Sequence, residues 1–392
     1  MVIFLLASAF YFFETLVDTA PSVMITPLMQ GFHLSAFQLG ILDVSYFALA
    51  ALIQIPGGLM LDRFGARRVM PLAAVCCGFG LLIFMSAHSF KIALLGRMLA
   101  GLGSAFGILG ALFMIGERIR PSLLAFGLGA SIMIGLSGAL LDGPMAMIAQ
   151  ALGWRGLILI LSLSAFVFSL VFWLCLPEKS PLPSGGVERN KGKGGRLRIL
   201  AKDKTLWAIA LYGGIMYLPA GMLGTLWGTH FLLMAEPRLS LPEASTLNSL
   251  IFLGWIVGSP IVGALSDFFQ QRRAFLILAS TACLTVIALL FSLPHFNVMG
   301  LIALFFGLGF FGSFSGLTFA MGIERYSKCR ALTVGWINLF AIVPMLIMNP
   351  MYGQFLDRLG FASLHADQVA LWPIMILLGL SVFLSLCIEK TA

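Results

Sequence analysis

A chain of 392 residues that is 60% hydrophobic and only 10% charged carries more apolar surface than one soluble core can hide. Lipid must cover the remainder, and a mean hydropathy of +1.01 marks an integral membrane protein. The net charge of +8 argues little for a nucleic-acid partner, because Lys and Arg sit in short loops between apolar runs and not along one helix face.

Apolar runs long enough to cross a bilayer, roughly 20 residues each, fall at about 2–29, 37–60, 70–88, 91–115, 122–148, 155–176, 205–233, 243–266, 274–293, 297–322, 331–356 and 368–388. These predict twelve helices in two sets of six, over residues 1–176 and 205–392, joined by a basic linker over 177–204. The linker carries Arg189, Lys191, Lys193, Arg196, Arg198, Lys202 and Lys204. Loops on the opposite side hold only Lys91, Arg155, Arg238 and Arg358, and this asymmetry predicts that both termini are cytoplasmic. The first run lacks a basic start and a cleavage site, so it is read as a retained helix.

Helix 1 carries Glu14 and Asp18, four residues apart and so on one face. A carboxylate in hydrocarbon costs several kcal/mol, so each must face protein or water, or be protonated. Both readings stay open: proton-titrating groups in a wet interior, or hydrogen-bonded packing residues. At a rise of ~1.5 Å per residue, Asp43 on helix 2, Arg97 on helix 4 and Asp142 on helix 5 lie at similar depth in the outer half of the first six helices. Asp18 lies deeper, and Glu14 is near the middle. Arg97 is therefore expected to pair with Asp18 or Glu14, and protonating the acid would release it.

Helix 5 is glycine-rich up to Gly143-Pro144, which favours close helix contacts. The second half has no predicted acid or base at membrane depth. It offers neutral hydrogen-bonding and aromatic groups instead: Tyr212, Tyr217, Trp227 and His230 on helix 7, Asn248 on helix 8, Ser313 on helix 10 and Asn338 on helix 11. Such groups suit the orientation of a solute, although aromatics also serve packing and interfacial belts. The five histidines lack chelating spacing, and the six cysteines fall mostly within apolar runs, so neither a metal nor a disulfide framework is expected.

One charged turn organises the chain. Gly57 to Arg68 joins helices 2 and 3, with Gly58, Asp62, Arg63, Gly65, Arg67 and Arg68 in the pattern G-x-x-x-D-R-x-G-x-R-R. The plan returns as Gly263, Asp267, Arg272 and Arg273, with Phe268 and Gln270 where arginine and glycine stand in the first copy. A turn repeated across half the chain implies two similar halves. The first copy resembles the signature loop of the major facilitator superfamily of transporters, and the second resembles its weaker counterpart between helices 8 and 9. The resemblance implies an all-α membrane fold of twelve transmembrane helices in two pseudo-symmetric six-helix bundles, with helices 1, 4, 7 and 10 lining a central cavity.

It further implies a gate latch. Asp62 would face the positive start of helix 11 near Ala331–Thr333, and Asp267 the start of helix 5 near Pro121 and Ser122. The run Arg97-Met98-Leu99-Ala100-Gly101-Leu102-Gly103 resembles the R-x-x-x-G-x-G motif linked in the family to proton transfer. Tyr212-Gly213-Gly214 and Leu226-Trp227-Gly228 are loosely similar to permeases for organic acids and peptides.

The expected function is proton-coupled uptake of a small organic solute across a cytoplasmic membrane. Glu14, Asp18 and Arg97 would couple, and an acidic cavity would favour an amino acid, peptide or other zwitterion or cation. Export of amphiphilic cations or drugs, and permeation of organic acids, stay open as alternatives. No nucleophile with its base and no metal cluster points to an enzyme. The expected partners are the solute, protons and lipid, with no cofactor and the protein acting as a monomer.

Overall fold

The structure is a computed structural model that describes residues 2–118, 124–176, 200–293, 296–326 and 330–388, and every regular element among them is helical. Among the described residues, ten stretches are long and apolar enough to cross a membrane. The longest, Ala130–Cys175, has 46 residues. At ~1.5 Å per residue it is more than twice the length that a ~30 Å hydrocarbon layer needs. Gly153, with φ 74° and ψ 163°, breaks it into two crossings. With the first segment, these make the twelve helices.

In chain order, α1 comprises Val2–Thr19, a 3-10 turn Ala20–Val23 and Ile25–Phe32. Then come α2 (Ala36–Phe64), α3 (Ala66–Ser86) and α4 (Phe90–Ser104 continuing as Phe106–Arg118). Helix α5 runs from Leu124–Leu136 through Ser137–Leu141 to the kink at Gly153, and α6 is the rest of Asp142–Cys175. In the second half, α7 comprises Lys204–Leu218, a π-helical stretch Pro219–Trp227 and Gly228–Ala235. Next are α8 (Leu241–Asn248 and Leu250–Phe269), α9 (Arg272–Ser292) and α10 (Val298–Gly312, Ser313–Ser315 and Gly316–Arg325). The last two are α11 (Arg330–Leu359) and α12 (Leu364–Ala370 and Trp372–Cys387).

The two halves repeat local devices as well as helices. Ser35 and Gln38 close a reciprocal capping box at the start of α2, and Ser240 and Glu243 do so at the start of α8. The offset between these boxes equals that between Asp62 and Asp267. The second helix of each half is thus built from one template, from its cap to its closing turn.

Helices α2 and α11 meet antiparallel across the halves. At the end opposite the Gly58–Arg68 turn, here the far end, Asp357 accepts from the Ala36 and Phe37 amides at 2.7 and 2.9 Å. A carboxylate from one half thereby satisfies the positive helix start of the other. One turn on, a Cβ on Gly353 would come within 2.2 Å of the Ala36 carbonyl oxygen, and one on Gly40 within 2.7 Å of the Asn349 carbonyl oxygen, so the backbones touch. Farther toward the turn, Asn338 donates to Gln54 at 2.5 Å. Helices α5 and α8 approach likewise, with Gly143 against Thr246.

At the turn end, the side chains of Asp62, Ala331 and Leu332 and the whole of residues 121–122 lie outside what the structure describes. The side chain of Asp267 is 69% exposed and bonded by Arg272 of its own turn at 3.2 Å. Arg272 in turn reaches Glu324 of α10 at 2.6 Å.

Asp203, just ahead of α7, accepts from Arg325 Nε at 2.6 Å and from the Tyr326 hydroxyl at 2.7 Å. Burial raises its carboxyl pKa, but the bonds from Arg325, Tyr326 and the Thr205 amide outweigh burial and hold it below the usual carboxylate value. A depressed carboxylate adds stability above its unfolded value and loses it as pH falls through the folded one. Asp203→Asn should therefore lower thermal stability at neutral pH by up to about 1 kcal/mol. The difference from wild type should shrink below pH ~4, as read by melting curves across pH.

Candidate functional site

Helix α1 turns Tyr11, Glu14 and Asp18 toward the interior, where both acids are half-buried. Glu14 Oε2 accepts from the Ile108 amide at 2.9 Å, just beyond the interruption of α4 at Ala105. A Cβ on Gly107 would fall 2.1 Å from that same oxygen, so any larger residue there would displace the carboxylate from this position. Asp18 is served differently. Its Oδ1 is shielded from solvent and has no hydrogen-bond partner among the described residues, and its charged neighbours include Asp43, Arg97, Glu14 and Asp142.

Arg97 does not pair with Asp18 or Glu14. Its Nη2 lies 3.5 Å from Asp43 Oδ1, its Nη1 donates to the Val17 carbonyl at 3.2 Å, and its guanidinium sits 4.6 Å from the centre of the Tyr46 ring. Asp43 and Tyr46 stand three apart on one face of α2 and offer the cation a charge and a π face together. Nε and Nη2 make no hydrogen bond to the described residues. Asp142 is fully buried and accepts from Thr19 Oγ1 at 2.6 Å, tying α5 to α1.

From the second half, Tyr217 alone of the sequence candidates on α7 is half-buried beside these acids. Glu14, Asp18 and Asp43 are its charged neighbours, and its ring meets Trp255 edge-on at 5.7 Å. The other candidates have duties in the walls. Tyr212 donates to the Leu276 carbonyl at 2.7 Å, Ser313 to the Phe310 carbonyl at 2.7 Å and Asn248 to the Gly224 carbonyl at 2.8 Å. Trp227 donates to the Asn349 carbonyl at 3.2 Å and stacks on Tyr352. Asn338 bonds Gln54 across the halves. The π-helical stretch explains part of this, since wide turns leave carbonyls without helical donors. Gly221 and Gly224 therefore receive side-chain bonds from Thr225 and Asn248.

One buried acid of the second half was not foreseen. Asp367 is fully buried in the first turn of Leu364–Ala370, at the start of the apolar stretch Leu364–Cys387. His230 Nδ1 is 3.2 Å from it, and the Tyr352 hydroxyl donates to it at 2.8 Å. Helix 12, placed from 368, begins four residues earlier behind a Ser363 cap, and that short error hid the aspartate.

With this arrangement in view, comparison with known proteins is decisive for the family. The sequence profile of the Major Facilitator Superfamily matches residues 4–347. The chain belongs to the Major Facilitator Superfamily. Among its relatives are monocarboxylate transporter 2 of Rattus norvegicus and the probable sulfoacetate transporter SauU of Cupriavidus necator. The first is 23% identical over 77% of this chain and 66% of its own length, the second 23% identical over 96% and 91%. A probable L-galactonate transporter of Escherichia coli is 25% identical over 82% and 75%. Among solved structures, a bacterial homologue of the human lysosomal transporter Spinster superposes with a TM-score of 0.75 at 17% identity, covering 100% of this chain and 97% of that one. The nucleoside transporter NupG gives 0.79 at 12%, covering 99% and 100%.

This superfamily chain is a multi-pass membrane transporter and not an enzyme. Within it, the buried groups divide into those that face one another across the interior and those that hold the walls. The division predicts contrasting effects for two tyrosines. Tyr212→Phe should cost about 1 kcal/mol of stability through the lost Leu276 bond while leaving solute affinity unchanged. Tyr217→Phe should do the reverse, as read by melting midpoints beside solute-binding isotherms.

Proposed function

We propose that this transporter carries a small organic zwitterion, driven by protons, with Glu14 and Asp18 receiving its cationic end and Arg97 its carboxylate. The observation that carries the reading is the pairing of half-buried acids on α1, one oxygen of Asp18 lacking a partner, with a buried arginine that has unused donors. A desolvated charge without a partner is costly, so such a site favours a ligand that completes it and acids that load protons when it is empty. Tyr217 and Trp255 supply a wall for the solute's body. The bundles over 1–176 and 205–392 would rock about this centre, joined by the basic linker 177–204. The basic loops favour a cytoplasmic membrane with both termini inside.

A second reading is a permease for simple organic acids. It is favoured by the relatives, whose names specify monocarboxylates, sulfoacetate and L-galactonate, and by the free guanidinium donors. In that case the solute carboxylate enters on Arg97 while protons neutralise Glu14 or Asp18.

Counterflow and gradient-driven uptake in proteoliposomes, with labelled amino acids, organic acids and lipophilic cations, separate these cases and fix direction. Replacing both acids, Glu14→Gln with Asp18→Asn, should reduce proton-driven uptake roughly tenfold or more. Uptake with unchanged pH dependence in that double variant would defeat the coupling role.

A further inference from the structure

The carboxylate that neutralises Arg97 is also a hydrogen-bond acceptor for the opposite half. Asp43 Oδ1 faces Arg97 Nη2 at 3.5 Å, while Oδ2 accepts from Asn349 Nδ2 of α11 at 2.9 Å. All three side chains are at most 1% exposed. Asn349 sits where α11 is weakest, between Pro344 and Pro350, each of which removes a helical bond. Its amide also has a second acceptor within reach, the Gly221 carbonyl of the π-helical stretch at 3.4 Å. Its own carbonyl abuts Gly40 of α2 and accepts from Trp227. One residue thus joins the charged interior, the irregular part of α7 and the closed far end.

We propose that Asp43 and Asn349 form a charge-reading link that shuts the far end, a deepening that rests on the proton-coupled reading above. While Arg97 faces Asp43, the carboxylate is ionised and its bond to Asn349 is charge-assisted, about twice as strong as a neutral one. When Arg97 turns to the solute or to Asp18, Asp43 is left as an unpaired buried anion, and it takes a proton. Asn349 then holds a neutral acid, the link slackens, and its amide passes to Gly221. The titratable and charged groups facing Asp43 are Arg97 from α4, Asp18 from α1 and Tyr217 from α7, and α11 contributes the neutral Asn349. Proton uptake at Asp43 is thereby tied to Arg97's departure, so one event loads the site and frees the gate.

The link can be read without knowing the solute. Spin labels at His33→Cys and Arg358→Cys, exposed far-end positions of opposite halves, report the separation in full-length protein in nanodiscs with the six natural cysteines replaced. In the background chain the far-end-open population should rise from neutral to mildly acidic pH. In Asn349→Leu the open-to-closed ratio should already be raised roughly tenfold at neutral pH, with no further gain on acidification. Asp43→Asn should likewise lose the pH response. Distances in Asn349→Leu equal to the background at every pH, or a full pH response in Asp43→Asn, would overturn the link. If Asn349→Leu does not fold, the comparison of Asp43→Asn with the background decides alone. Distances that respond as expected beside counterflow without any proton-driven solute would uphold the link and remove the transport reading. Proton-driven counterflow with pH-insensitive distances would do the opposite.

Discussion

Ionisable groups placed inside an apolar bundle must find compensation within the protein, and the structure shows a different solution for each. Glu14 takes a backbone amide at the interruption of α4, Asp142 a threonine hydroxyl, and Asp43 a guanidinium and an amide from the other half. Asp367 takes a tyrosine hydroxyl and a histidine. Asp18, Asp43, Asp142 and Asp367 each keep one oxygen that is shielded and without a hydrogen-bond partner among the described residues. Because an unmet charge is far more costly in this medium than in water, the helix interruptions and tight glycines around these acids follow from the need to bring donors to them. The Glu14 carboxylate lies where a side chain on Gly107 would stand.

The closed far end rests on the same economy of donors. Asp357 caps the start of α2 with two amide bonds across the halves, and this is the physics that the charged turn was expected to use at the other end. The helix dipole makes any exposed helix start a receptor for a carboxylate from a facing bundle. Contacts at Gly40 and Gly353 then bring the backbones together, so closure combines one charge-assisted cap with close packing. Rocking of the halves has to break the cap and the packing in one step.

Much of this was legible in the chain. Apolar runs marked nearly all helix ends to within a few residues, since hydrocarbon thickness sets their length. The repeat of Gly58 and Asp62 at Gly263 and Asp267 announced the pseudo-symmetry that the paired capping boxes at Ser35 and Ser240 extend. Depth along each helix was readable too, and it put Arg97, Asp43 and Asp142 at one level with Asp18 somewhat deeper. Rotation about the helix axis was not readable, because an apolar helix shows little periodicity when lipid and protein interior are equally apolar. Hence Arg97 was matched with the α1 acids and not with Asp43, and Tyr212 was placed in the interior although its hydroxyl serves α9. Asp357 and Asp367 were missed for another reason: an acid beside a predicted boundary reads as a loop residue, and only the cap at Ser363 moves Asp367 inside.

The irregular segments lie where the two halves meet. The 3-10 turn Ala20–Val23 of α1 and the π-helical stretch Pro219–Trp227 of α7 pack together across the halves. The first follows directly on Asp18 and Thr19, while the second bears the carbonyls that receive Asn248 and Asn349. A regular helix transmits a shift rigidly along its length, whereas a segment with mixed hydrogen-bond spacing exchanges one acceptor for another at small cost. Placing both segments at the junction of the two halves, one beside the acids and one beside the amides, confines the deformable backbone to where charge and closure meet. A change in the company that Arg97 keeps can therefore reach the far end through Asp43 and Asn349 while the rest of each bundle moves as a body.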